Sequence, residues 1–426
     1  MKNTNNPVSV LMVAIGGYAS RYAIELMNEF SSEAIQFRGV VDPFAVDSPC
    51  FADVNERCIP VFDTIEDFYM EGNSADLAVI CSPIQCHVQQ TIRALQNGSH
   101  VLCDKPVAAV IQDVDELIRV RDETKKWVMI GYQWSFSRAI QSLKQDILKG
   151  LFGAPKRLKT ICLWPRGDWY YNRNRWAGKI KDEHGKWVLD SPVNNAMAHF
   201  LHNLFYLIGD DISRSAEPAE VTAEVYRVNP IENYDTAACR IFTRDGIELL
   251  FYGSHSTLSQ MDPVFHLEFE EAEIEFGDCA KEIVATDRKG NQKRYHSPDD
   301  CHHFKKLHEA VETIRHPKQV VCGPEAARSQ VLCMNGIQEL AHSIQEFPPS
   351  LIMRNEEDSG YFVKGLDEAL ISCYQKGLLP GEANYSWISK AGTIDLANYR
   401  YFPGGEHQQK KEFAKISNKN HSSEKL

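Results

Sequence analysis

Apolar residues follow two rhythms along this chain. Up to residue 133, short runs that are apolar at nearly every position alternate with stretches whose apolar residues return at helical spacing. The runs VSVLMV (8–13), FRGVVD (37–42), ADLAVICS (75–82), HVLCDKP (100–106) and WVMIGYQ (127–133) read as strands. Between them RYAIELMNEF (21–30), TIEDFYM (64–70), HVQQTIRALQNG (87–98) and VDELIRVRDETKK (114–126) read as helices. Strands without alternation expect cover on both faces, so this part predicts a parallel sheet between helical layers. The second rhythm follows a helix at 139–150. The runs at 157–164, 220–228, 236–244, 247–255, 265–276 and 282–287 come in succession, often alternating, with turns such as RDG and RKGN between them. They predict a largely antiparallel sheet. Helical spacing also marks 197–209, 302–315, 324–346 and 360–376.

The resulting organisation is an α/β domain over 1–131 and an α+β domain over 132–345 with a largely antiparallel, open-faced sheet. An aromatic-rich extension covers 346–405, and a polar tail over 406–426 is expected to be disordered. Hydrophobic residues make up 43% and charged residues 24% of the 426 positions, which is ordinary globular composition. The net charge of −12 argues against nucleic acid and against an anionic membrane surface. With no 18-residue apolar stretch, no membrane span is expected. The first apolar run, broken by Gly16-Gly17, reads as a strand rather than a signal peptide. The twelve cysteines are scattered, many of them within apolar runs, and read as reduced thiols of a cytoplasmic protein. The Cys301–His303 cluster lacks a second pair at zinc-like spacing, so no metal site is expected.

The first chemistry lies in AIGGYA, between a predicted strand and a predicted helix. Ala14, Gly16 and Ala19 occupy the places of G-x-G-x-x-G/A, the turn that carries a dinucleotide pyrophosphate onto a helix N-terminus. Gly16 would allow close backbone approach, and Ala19 is small enough for helix–strand packing. Ala14 departs from the expected glycine, with Gly17 supplying freedom nearby; Gly17 and Tyr18 complete the loop. Asp42 ends the next strand, where a carboxylate accepts from ribose hydroxyls and repels a 2′-phosphate, favouring NAD over NADP. Together these predict a Rossmann domain.

Four stretches make the chain resemble the Gfo/Idh/MocA family, relatives of glucose–fructose oxidoreductase and inositol dehydrogenase: AIGGYASRYA, ICSPIQCHVQQTIRALQNGSHVLCDKP, IGYQWSFSRAIQSLKQDILKGLFGAP and NAMAHFLHNLFYLIG. The resemblance covers residues 8–345 and implies an NAD-dependent oxidoreductase acting on a sugar, inositol or related polyol. It implies that Ser82 and Pro83 belong to a loop beside the cofactor and that Lys105, in the family's E-K-P strand end, stands near the nicotinamide and the reacting hydroxyl. Asp104 replaces the usual Glu there, and Pro106 is expected to enter a cis bond. His199 matches the catalytic histidine. Asn195 stands where the family has Asp, and a helix would put it on the face of His199; Asp190 and His202 are candidates to compensate for the lost charge. His87 reads either as a cofactor neighbour or as a helix cap, and His202 either as a substrate contact or as packing.

For the substrate, the stretch WPRGDWYYNRNRWAGK (164–179) interleaves Trp, Tyr and Arg. That mixture suits CH–π contact and forked hydrogen bonds to a sugar and equally suits an interface between subunits. Arg166, Tyr170, Arg173 and Trp176 are the candidates within it, joined by Gln133 and Trp134 after the last strand of the first sheet. A homodimer or homotetramer through the second sheet is expected. The aromatic arm past residue 345 is expected to cover a partner subunit or the cleft mouth. Two rivals remain: an NAD-dependent glycosidase working by transient oxidation and elimination, and a cofactor-binding regulator without catalysis.

Overall fold

The all-apolar runs of the first third lie side by side. The computed structural model describes residues 6–277, 280–341, 344–356, 359–387 and 391–404; the polar tail at 406–426 lies outside them. In chain order come β1 (Val8–Val13), α1 (Ala19–Asn28), β2 (Ile35–Val41), α2 (Phe51–Glu56), β3 (Val61–Phe62), α3 (Ile65–Met70), β4 (Leu77–Ile80), α4 (His87–Gln96), β5 (His100–Cys103), α5 (Ile111–Thr124) and β6 (Val128–Ile130). The six strands pair in parallel in the order β3-β2-β1-β4-β5-β6. Val10, Leu11 and Met12 of β1 have no exposed surface, as a strand covered on both faces requires. The order reverses between β1 and β4, which opens a crevice at the carboxyl ends of these strands.

The rest of the chain builds the second sheet and its cover. It runs α6 (Arg138–Leu148), β7 (Pro155–Leu163), α7 (Asp168–Tyr171), α8 (Ala198–Leu207), β8 (Pro218–Arg227), β9 (Thr236–Thr243), β10 (Glu248–Ser254), β11 (Met261–Phe269), β12 (Ala272–Gly277), β13 (Ala280–Asp287) and β14 (Gln292–Tyr295). Then follow α9 (Lys305–Arg315), α10 (Pro324–Leu340), β15 (Gln345–Glu346), β16 (Ile352–Arg354), β17 (Tyr361–Val363), α11 (Leu366–Lys376) and β18 (Gly392–Asp395). The sheet order is β14-β13-β12-β11-β7-β10-β9-β8-β15, with β18 also on β8. Among the described residues only the β7/β10 and β8/β15 pairs of this sheet are parallel. Among the described residues no helix is long and apolar enough to cross a membrane.

Several boundaries depart from the sequence reading. The run at 265–276 is a hairpin, not one strand. Its buried residues are Phe265, Leu267 and Phe269, then Ala272, Ile274 and Phe276. That change of parity would put the second set on the wrong face of a continuous strand, so the chain turns at Glu270-Glu271. The helix expected over 324–346 ends at Leu340, and Gln345–Glu346 joins the sheet ahead of Pro348 and Pro349. The stretch 360–376 divides into β17 and α11.

The aromatic arm packs on its own chain rather than at the cleft mouth. In β10, Leu249 and Phe251 face the main core while Leu250 and Tyr252 face a second one. This second core holds Phe347, Val363, Leu366, Leu370 and Trp387, so residues 347–356 and 359–387 cover part of the sheet's open face. The Tyr226 ring stacks on Phe347 with centroids 5.1 Å apart and meets Trp387 edge-on. Helix α9 returns to the first sheet and lies along α1, where His308 Nε2 is 2.7 Å from Glu25 and the Phe304 ring packs on Tyr22.

Candidate active site

One cleft of about 1540 Å³ lies where the crevice of the first sheet meets the second sheet and the 164–179 loop. Every site residue expected from sequence lines it except His202 and Asp190.

On the first-sheet side the loop after β1 is held by backbone geometry. Ala14 itself takes the left-handed conformation, with φ of 70°, so the position that usually carries glycine keeps its backbone without it. Gly17 is also left-handed at φ of 51°. A side chain at Gly16 would meet nothing within 4 Å, which leaves room for a phosphate to approach. Tyr18 precedes α1 and its hydroxyl lies 2.7 Å from Nε2 of His303; Ala19 opens the helix and is buried. Asp42 follows β2; its carboxylate accepts from the backbone N–H of Ile15 and of Phe44, each at 2.9 Å. These bonds fix the loop and keep a carboxylate at the rim where a ribose would lie. A dinucleotide fits this constellation: an open glycine turn, a helix N-terminus and an acid at the second strand end.

The turn after β5 is the centre of the site. The Lys105–Pro106 peptide is cis, as expected from the resemblance. Asp104 is buried and meets Lys306 Nζ at 3.1 Å, with the Tyr22 hydroxyl at 3.4 Å and the Cys81 thiol at 3.6 Å. Burial alone would raise its carboxyl pKa, but Lys306 and then Lys105 outweigh it and hold the group down at about 2. Lys306 was not anticipated from sequence. It also donates to the Gly131 carbonyl at 3.1 Å, and a Cβ on Gly131 would stand 2.6 Å from the Asp104 carboxylate. Beside this turn His87 is buried, with Nδ1 2.7 Å from the Pro106 carbonyl oxygen and Nε2 2.8 Å from that of Ser82. Of its two readings the cap is not seen, since no side chain caps α4. His87 ties the Ser82-Pro83 loop to the Lys105 turn, and Ser82 Oγ donates to Gln90 at 2.5 Å.

Lys105 reaches across the cleft. Its Nζ donates to the backbone oxygen of Asn195 at 2.8 Å and to the Asn195 side-chain oxygen at 3.1 Å. Burial lowers its pKa, against the pull of Asp104. The Asn195 amide donates in turn to Asp190 at 2.8 Å, and Asp190 accepts from the Gly178 N–H at 2.6 Å. Asn195 is therefore not on a helix face with His199. It sits in the turn before α8, which starts at Ala198, and its backbone N–H is tied to the Ser191 carbonyl at 2.9 Å. The missing family carboxylate is answered one hydrogen bond further back, by Asp190. His199 lies in the first turn of α8, with Tyr132 edge-on at 5.8 Å. Burial, then Lys105 and Lys306, push its pKa well below the ordinary 6.5, so the ring is neutral. His202 is buried under Tyr132, stacked at 3.8 Å, with Nε2 3.0 Å from Ser135 Oγ; it is packing, not a substrate contact.

The opposite wall comes from the second part of the chain. Gln133 is half-buried; Trp134 packs on Phe200 and Phe276 and donates to Asp299 at 2.8 Å. Arg173 lies 3.7 Å over the Tyr170 ring and 5.3 Å from Trp176, while Arg166 lies 5.1 Å from Tyr170.

Three comparisons bear on this assembly. Residues 8–132 match the family described as "Oxidoreductase family, NAD-binding Rossmann fold", GFO_IDH_MocA. Among curated proteins, the chain is similar to myo-inositol 2-dehydrogenase of Thermotoga maritima, 31% identical over 99 residues, which are 22% of this chain and 29% of that protein. It is also similar to 2,7-anhydro-N-acetylneuraminate hydratase of Escherichia coli, 24% identical over 120 residues, 28% of this chain and 31% of that one. The aligned stretches thus span less than a third of either relative's own length. Among solved structures, the WlbA dehydrogenase of Bordetella pertussis, in complex with NADH and UDP-GlcNAcA, superposes with a TM-score of 0.64 at 20% identity, over 79% of this chain and 97% of that one. That likeness extends the fold, beyond residue 132, across both sheets. Residues 8–132 thus match the NAD-binding Rossmann fold of the Gfo/Idh/MocA oxidoreductase family.

Proposed function

We propose that this chain is an NAD-dependent dehydrogenase that interconverts a hydroxyl and a carbonyl on a sugar, inositol or related polyol. One observation carries the reading: the Lys105 ammonium and the His199 imidazole line the same cleft. Nicotinamide, when bound, supplies the two-electron acceptor for the hydroxyl-bearing carbon. His199, kept neutral by burial and by neighbouring cations, takes the hydroxyl proton. Lys105 stabilises the negative charge that develops on that oxygen. Asn195 accepts from Lys105 and so holds the ammonium at one point, while Asp190 polarises the Asn195 amide from behind. Gly16, Gly17, Tyr18 and Ala19 hold the pyrophosphate at the α1 N-terminus, and Asp42 takes the ribose hydroxyls and selects NAD over NADP. Ser82, Pro83, His87 and Asp104 shape the wall beside the nicotinamide, and Gln133, Trp134, Tyr170 and Trp176 contact the sugar.

The test is an incubation with NAD or NADP and a panel of polyols, sugars and nitrophenyl glycosides, following NADH and nitrophenol. NADH formation on a polyol or sugar is expected. Nitrophenol without net NADH would replace this reading with redox-assisted glycoside cleavage. Tight cofactor binding without either product would make the chain a regulator.

A further inference from the structure

The loop on the substrate side holds a cation, Arg166, that has no ion-pair partner among the described residues. The Arg166 backbone is fixed by its N–H to the His255 carbonyl at 3.0 Å. Its guanidinium lies among rings, 5.1 Å from Tyr170, 5.6 Å from Trp164 and 6.0 Å from Trp169. Its Nε is buried and has no hydrogen-bond partner among the described residues. Among the described residues its one side-chain hydrogen bond is a long one, from Nη1 to the Pro165 carbonyl at 3.5 Å. Three other half-buried arginines are paired with acids, Arg240 with Glu248 at 2.7 Å, Arg328 with Asp115 at 2.6 Å and Arg121 with Glu325 at 2.5 Å; Arg315, whose Nε also lacks a partner, donates through Nη2 to the backbone oxygens of Glu33 and Ala34 at 2.7 and 2.9 Å. The acids on the facing wall are already engaged. Asp262 takes the Trp164 indole N–H at 3.0 Å, and Asp299 takes that of Trp134 at 2.8 Å. Arg173 shares the Tyr170 ring, donates to the Tyr170 carbonyl, and stands 3.9 Å from Asp190, within ion-pair range but too far for a hydrogen bond.

A partly desolvated guanidinium without an acid is costly, and a neutral sugar hydroxyl does not compensate it. A carboxylate or phosphate does, through two parallel N–H···O bonds. We propose that the substrate is an anionic sugar, and that its carboxylate or phosphate docks on Arg166, with Arg173 as the second donor. This inference rests on the dehydrogenase reading only for the reaction, not for the binding.

The test compares glucose and galactose with their uronic acids and their 6-phosphates, as substrates with NAD and as ligands of the NAD-loaded protein by calorimetry. At least one anionic set is expected to exceed its neutral parent about a hundredfold in kcat/KM and in affinity. Arg166→Gln should abolish that preference, mainly through KM, and Arg166→Lys should restore part of it. The arm that wins separates carboxylate from phosphate. Anion binding that Arg166→Gln abolishes, without turnover of any compound, upholds the inference and removes the dehydrogenase reading. Neutral parents preferred in every set, or an anion preference that survives Arg166→Gln, overturns the inference and leaves the dehydrogenase reading standing.

Discussion

The two walls of the cleft are built in opposite ways. On the first-sheet wall the polar groups are answered within the chain: Asp42 holds two backbone N–H groups, Asp104 faces Lys306, and His87 bridges two carbonyls. On the loop wall the Arg166 Nε is unanswered and Arg173 rests on a ring. The first wall is finished before any ligand arrives, which is what a preorganised cofactor site requires. The second leaves charge for a ligand to complete. Substitutions on the first should therefore register as lost stability or cofactor affinity, and those on the second as lost selectivity.

Lys105 stands between the walls and provides the largest test. Lys105→Ala should lower kcat by about 10³-fold, roughly 4 kcal/mol, because an ammonium aimed at the reacting oxygen is lost. NAD affinity should stay within about tenfold, roughly 1.4 kcal/mol. Steady-state kinetics and a cofactor titration measure both, and a variant that kept most of its turnover would remove this lysine from the chemistry. Lys306→Met should cost roughly 3 kcal/mol of unfolding free energy, since it leaves the Asp104 carboxylate buried and unpaired. Urea denaturation reads this directly; an unmoved midpoint would mean that the pair contributes nothing to the first wall.

Acid should erode the same wall. The Asp104 carboxyl lies at about 2 in the folded protein against an ordinary 3.8. Its contribution, roughly 2 kcal/mol, is present above pH 3.8 and is lost as pH falls through about 2. Asp104→Asn should flatten the fall in stability across that window, and an identical acid profile in the variant would contradict the assignment. For His199 the shift is also downward, so the acid limb of kcat/KM should lie below pH 6.5; a limb at or above that value would point to another base. The smallest effect belongs to Ala14. Its left-handed backbone costs an alanine about 1 kcal/mol, so Ala14→Gly should raise the unfolding free energy by about that much or slightly less. A fall in thermal midpoint would show that the position is not strained.

How much of this was legible in the sequence depended on how far apart the partners lie. Gly16, Asp42 and Lys105 each follow a strand by a residue or a few, so a short motif locates them. Lys306 answers Asp104 across 202 positions, through space that exists only because Gly131 has no side chain. A signal was there: Lys306, Ala310 and Thr313 repeat at helical spacing and are buried, which puts that lysine on the apolar side of α9. Asn195 was misplaced because the helical period of α8 was extended upstream into a turn. The cover on the second sheet was also readable, since ELLFYGS in β10 is apolar at positions of both parities, as a strand buried on two sides must be.

The salt bridge between Asp104 and Lys306 also sets an order of assembly. A ribosome releases the carboxylate long before the ammonium, so during synthesis the cofactor wall waits, with its most buried acid still in water, for a helix encoded almost at the end of the second sheet. The nucleotide-binding half of this protein is thus not finished until α9 has been made.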